Sequence, residues 1–134
     1  MDLISVTHKA GSQFAIRVRG HEVPTDMPAK DGGHDSGPSP VELFAGSLGA
    51  CIAMTVRRYC QSHGYADGEV GVSLTLELAD HPKRIRNIVV DLEVPKDVPE
   101  DRIEAILRAV RCCPIHETLR CPPEVDLDVV KTPA

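Results

Sequence analysis

Between Ser39 and Gly64 the chain reads SPVELFAGSLGACIAMTVRRYCQSHG, a helical segment whose polar residues gather only in its last turns, around Arg57 and Arg58. Its start is marked by three residues together. Ser39 can cap the first free N–H groups, Pro40 suits the first helical position, and Glu42 stands three residues after Ser39 to complete a capping box. Gly64 marks the end. The apolar run Leu43–Val56 is too short and too rich in small residues to span a bilayer. The segment is therefore a buried helix, and a helix without a wet face has to be covered on all sides.

The flanking sequence supplies elements for that cover. Before the helix, ISVTHKA (Ile4–Ala10) and FAIRVRG (Phe14–Gly20) alternate as strands across a turn at Gly11-Ser12, with Phe14, Ile16 and Val18 on one face; HEVPTDM extends the hairpin. Residues 28–40, PAKDGGHDSGPSP, form a loop without the Gly-Lys-Ser/Thr ending of a phosphate-binding loop. After the helix, Glu69–Asp80 and Arg84–Pro95 pair as a second hairpin. Val70, Val72, Leu74, Leu76 and Leu78 lie on its dry face. A second helix starts near Pro99 and packs Ile103, Ile106, Leu107 and Val110; RCCPIHETLR opens a short third helix; EVDLDVV closes the chain as a strand. The order predicts a single α+β domain over 1–134, with antiparallel sheets around the apolar helix.

At 134 residues such a domain needs no disulfide staples, so the five cysteines are not scaffold. Their odd number, and the absence of a signal-like start in MDLISVTHKA, predict reduced thiols and a cytoplasmic location. A formal net charge of −5 and 3% aromatic residues argue against a nucleic-acid surface. The small basic cluster HPKRIR reads as a solvated turn between strands. No membrane partner is expected.

The thiols differ in their local settings. Cys51 lies in the middle of the apolar helix, beside Phe44, Leu48, Ile52 and Thr55, where an unbonded cysteine can be simple core. Cys113 precedes Pro114 and so caps the third helix, where free N–H groups and the dipole would lower its pKa. Cys112 ends the second helix and is expected to turn into the core. Two Cys-x-x-His spacings, Cys60–His63 and Cys113–His116, could together supply four zinc ligands, but neither has a knuckle-like turn, and no metal or other cofactor is expected. Ser47, in GSLG, does not have nucleophile-elbow spacing.

The segment SPVELFAGSLGACIAMT followed much later by CPIHETL resembles the OsmC/Ohr family, the osmotically inducible protein C and organic hydroperoxide resistance proteins. The resemblance implies an OsmC-like fold and an intertwined homodimer with two central helices side by side. It also implies a thiol-dependent peroxidase for organic hydroperoxides. Cys51 would be the peroxidatic thiolate and Cys113 the resolving thiol, joined as a disulfide that a dithiol or lipoyl-type carrier reduces. Gly46, Gly49, Ala50 and Ala53 form a small-residue stripe compatible with close helix approach. The chain departs from the family pattern in two respects. Val41 stands where members carry a glutamate, and no motif selects the partner cation among Arg17, Arg19 and Lys9. An alternative of another class follows from those departures: a weakly catalytic or non-catalytic OsmC-like protein that binds an apolar ligand or senses oxidants.

Overall fold

A computed structural model describes residues 2–65 and 69–133. The chain is α+β. It divides into two compact units, Met1–Gly49 with Ser73–Asp91 and Ala50–Val72 with Leu92–Ala134.

The first unit holds an antiparallel sheet of β1 (Ser5–Ala10), β2 (Gln13–Val18) and β3 (His21–Thr25), in that order. Its register pairs Val6 with Ile16 and Ile16 with Val23, and a bulge sits between His8 and Ala10. Alternation places Phe14, Ile16 and Val18 on one face. The fully buried residue of β2 is instead Ala15, while Phe14 is exposed and leans on His8 with ring centroids 5.2 Å apart. A small side chain allows close backbone approach on one face of this thin sheet, and the larger rings stay outside.

The loop after β3 is fixed by Asp26, which is 2% exposed. Its carboxylate accepts hydrogen bonds from Ser12 Oγ (2.5 Å), Ser36 Oγ (2.5 Å), and the backbone N–H groups of Met27, His34 and Ser36. Chiefly through the two serine hydroxyls, these bonds hold its carboxyl far below the usual carboxylate range, against the opposing effect of burial. Gly33 belongs to the same knot: a Cβ there would collide with the Met27 carbonyl. The loop therefore delivers the chain to Ser39 in one fixed geometry.

Helix α1 runs Pro40–Ser62 and is shared by both units. The predicted capping box is present: Ser39 N–H donates to Glu42 Oε1 (3.0 Å), and Glu42 N–H donates to Ser39 Oγ (3.3 Å). At the other end Gly64 adopts φ +80°, and Tyr65 N–H reaches back to the Cys60 carbonyl at 2.8 Å, the pattern of a Schellman stop. Ala45, Leu48, Gly49, Ile52, Val56 and Cys60 are buried as one stripe. Met54, on the opposite side, is 69% exposed, and Val41 and Phe44 stand open in the first turns. Within this chain α1 is thus covered on one face only, short of the expected cover on all sides.

β4 (Gly71–Ala79) and β5 (Arg84–Glu93) form a two-stranded sheet, and the short connection at 80–83 requires them to run antiparallel. Val72, Leu74 and Leu76 are half-buried, whereas Ser73, Thr75 and Glu77 are exposed. Arg86 and Glu77 pair on the wet face. α2 (Ile103–Arg111) buries Ile106 and Val110, and α3 (Pro114–Arg120) follows at once. The expected closing strand is not formed. Residues 121–130 carry no assigned strand and are exposed throughout, because an extended segment needs a neighbouring ladder to be a strand.

Candidate active site

The second unit gathers α1 from Ala50 onward with α2 and α3, and its core is Ile52, Val56, Cys60, Ile106, Val110 and Cys113. Cys51 is half-buried, on the seam between the buried stripe of α1 and the side bearing Met54. Thr55 Oγ1 donates to the Cys51 carbonyl at 2.8 Å, which absorbs the threonine hydroxyl one turn below the thiol.

Cys113 caps α3 with extended backbone (φ −68°, ψ 146°) and Pro114 in the first turn. Its side chain is 2% exposed and lies near enough to the Cys51 side chain to feel it electrostatically. The two residues that the sequence singled out, far apart along the chain, are therefore neighbours in one unit. All five cysteines are free thiols.

The expected electrostatics of Cys113 are reversed. Burial pushes its thiol above the ordinary range; the Cys51 sulfur adds to this both as a hydrogen-bond partner and as a charge. The N–H groups of His116 and Ile115 favour the thiolate, as a helix start should, though the sulfur completes no full capping hydrogen bond. Removing the charged form from water costs more than one exposed helix turn returns.

The remaining thiols have other settings. Cys60 is fully buried, and desolvation raises its pKa despite the opposing field of Arg57. Cys112, expected in the core, is exposed at the end of α2, where Cys113 takes the buried place instead, and Cys121 is exposed as well. His63, three residues after Cys60, stacks on Tyr59 with centroids 4.0 Å apart. Among the described residues no three His, Cys, Asp or Glu side chains converge as metal ligands.

The departures at the helix start are also explicable locally. Glu42 is committed to Ser39, whose backbone N–H and hydroxyl lower its pKa, and Val41 is exposed. Of the candidate cations, Arg17 Nε is paired to Glu22 at 2.7 Å, while Arg19 and Lys9 are exposed. Sequence reasoning missed Asp26. Its partners Ser12 and Ser36 give it away only once the loop is folded.

Residues 33–128 match the family described as OsmC-like protein. None of the curated proteins matches the sequence. Among solved structures, an OsmC-like protein from Mycoplasma pneumoniae is similar with a TM-score of 0.77 and 18% identity, over 90% of this chain and 87% of that one. The organic hydroperoxide resistance protein OsmC from Legionella pneumophila gives 0.65 and 18%, over 90% and 89%. The organic hydroperoxide resistance protein OhrB of Bacillus subtilis gives 0.57 and 23%, over 90% and 92%. These similarities fix the fold. Among the described residues no helix is long and apolar enough to cross a membrane.

Proposed function

The chain belongs to the OsmC-like family, and from that membership we propose that it is a thiol-dependent peroxidase for organic hydroperoxides, with Cys51 peroxidatic and Cys113 resolving. The single observation that carries the reading is the nearness of a half-exposed Cys51 to a buried Cys113 whose ionisation it influences. The names of the Legionella and Bacillus neighbours, both organic hydroperoxide resistance proteins, support the substrate class.

In the first step the Cys51 thiolate attacks a peroxide oxygen. The O–O bond breaks, the alkoxide leaves and takes a proton as the alcohol, and Cys51 becomes a sulfenic acid. In the second step the Cys113 sulfur attacks the Cys51 sulfur; the S–O bond breaks, and hydroxide leaves as water with the Cys113 proton. A dithiol, of lipoyl type or similar, then reduces the disulfide by exchange and is itself oxidised to a disulfide.

The electrostatics order these steps. While Cys51 is an anion, its charge and hydrogen bond help to keep Cys113 protonated. Oxidation to the neutral sulfenic acid removes that influence, and the His116 and Ile115 N–H groups then work toward the Cys113 thiolate. Resolution is thereby favoured after the first oxidation and not before it.

The working form is a cytoplasmic homodimer of one-domain chains spanning 1–134. The exposed apolar residues of α1 support the pairing, and the continuity of α1 through both units supports the single domain. Stoichiometric hydroperoxide followed by blocking of free thiols and peptide mapping tests the chemistry. A Cys51–Cys113 disulfide within one chain is expected; a Cys112–Cys121 link or an interchain disulfide would refute it.

A second reading rests on Val41 and on the commitment of Glu42 to its cap. Without a carboxylate to orient a cation, the same thiol pair would sense oxidants rather than turn over. Steady-state consumption of hydroperoxide with excess dithiol separates the two, because a sensor stops after one oxidation.

A further inference from the structure

The junction of α2 and α3 bears a second cysteine with surroundings of its own. A cavity of about 490 Å3 is lined by Arg108, Arg111, Cys112, His116, Glu117 and Arg120. That volume suits a molecule of tripeptide size. Helix geometry explains the clustering: Arg108 lies one turn before Cys112, and His116 one turn before Arg120, so each helix presents a basic residue and its partner on one face.

The charge in this cavity is the reverse of the chain's formal −5. Arg120 is tied to Glu117 at 2.6 Å. Among the described residues Arg108 and Arg111 form no ion pair. Two guanidinium groups are thus left for a ligand, and their planar forks match carboxylates. Cys112 is exposed and lines this cavity together with the arginines. An exposed sulfur inside a cationic cavity selects among disulfides by the charge they carry.

We propose that this cavity binds low-molecular-weight disulfides bearing carboxylates and that Cys112 becomes S-thiolated by them. The Cys112 thiolate attacks one sulfur of the bound disulfide; the S–S bond of the ligand breaks, a protein–ligand S–S bond forms, and the second half departs as a thiolate that takes a proton from water. The ligand disulfide is the oxidant and is reduced by the exchange. The arginines steer the anionic reagent in and hold its carboxylates, so they govern which disulfide reacts and not whether disulfides can react.

The reduced full-length protein is exposed to oxidised glutathione (anionic), 2-hydroxyethyl disulfide (neutral) or cystamine (cationic) at low ionic strength. Peptide mass mapping times the mixed disulfide at each cysteine. Exposed Cys121, which does not line the cavity, normalises the intrinsic reactivity of each reagent. Expected is a Cys112-to-Cys121 rate ratio roughly 10-fold or more higher with oxidised glutathione than with cystamine, in the range of electrostatic steering, with the neutral reagent between. In Arg108→Gln/Arg111→Gln the preference should fall toward one, and about 0.5 M salt should have the same effect on the unaltered protein. The salt series needs no substitution and so reads the effect independently of folding. No charge preference at Cys112, a preference unchanged in both the double variant and high salt, or faster glutathionylation of Cys121 than of Cys112 would each overturn the proposal.

Discussion

Replacing Cys51 by alanine would take a hydrogen-bond partner and a charge away from Cys113 but leave its burial in place. The Cys113 proton should therefore come off more easily in that variant, yet still at a higher pH than the ordinary thiol value of about 8.5. Iodoacetamide labelling of Cys113 against pH measures this: the midpoint should move down in Cys51→Ala, and an unmoved midpoint would mean that the Cys51 contribution is negligible. The same residues set the activity expectations. Cys51→Ser should abolish organic peroxidase turnover, because a hydroxyl cannot supply the nucleophile at neutral pH, whereas Cys60→Ser and Cys121→Ser should retain most of it. Near wild-type rates in Cys51→Ser, measured with a dithiol-coupled assay, would remove Cys51 from the mechanism. Position 41 bears on efficiency. Successive helical residues point about 100° apart, so Glu42 cannot take the direction of a carboxylate at position 41, and its cap already occupies it. Val41→Glu should raise kcat/KM for an organic hydroperoxide by roughly 10-fold if positioning of a cation is what is missing. A carboxylate near Cys51 without such a cation would repel its thiolate, so an unchanged or lower value would favour the sensing role.

At the level of elements, the loop before α1 depends on one buried carboxylate. Asp26 in the folded chain titrates far below an unfolded aspartate. The stability this adds is complete above an unfolded pKa of about 3.9, and is lost progressively as pH falls from there toward the depressed folded value. Asp26→Asn should therefore lower Tm at pH 7, and its deficit relative to wild type should shrink as pH falls from about 4 toward 2. A deficit constant across that range in thermal melts would show that the ionised carboxylate is not what holds the loop. Ser39→Ala tests the adjoining cap and should cost about 1 kcal/mol. How much of this was legible in the sequence followed the range of the interactions. The capping box, the Gly64 stop, both hairpins and the Cys113 cap are written in residues a few positions apart, and all are present in the structure. Asp26 was invisible because Ser12 and Ser36 lie 14 and 10 positions away. The basicity of Cys113 was read with the wrong sign because spacing shows a helix terminus but not the burial that outweighs it. Alternation groups Phe14, Ile16 and Val18 on one face without saying which face a thin sheet can cover, and the buried residue is Ala15 on the other.

On the scale of the whole molecule, the apolar surface that this chain leaves open is too regular to be incidental. From Glu124 to Val129 acidic and apolar residues alternate. Val125, Leu127 and Val129 are exposed at 75%, 87% and 95%, and Val41, Phe44 and Met54 stand open along α1. A period of two with one apolar face is strand patterning, and the segment lacks only a ladder to join. Burying each such side chain is worth roughly 1.5–3 kcal/mol, so a second copy that covered both surfaces would gain enough to offset the cost of association, of order 4–15 kcal/mol. The expected species in solution is a dimer of twice the 14.5 kDa chain mass. Leu127→Asp/Val129→Asp places charge where the single chain has only solvent. It should leave the far-ultraviolet dichroism of the monomer intact while shifting sedimentation equilibrium toward one chain by at least ~10-fold in Kd. The outcome discriminates sharply because the alternatives predict different pairs of readings. If the tail merely hung in water, neither dichroism nor mass would move. If it packed on its own chain, the fold would suffer together with the mass. Loss of the dimer with the fold retained would assign the segment to the partner, and would explain why a helix that reads as fully buried is half open in a single chain. An unaltered mass in the variant would remove the tail from the interface and leave the open residues of α1 as the remaining surface for pairing.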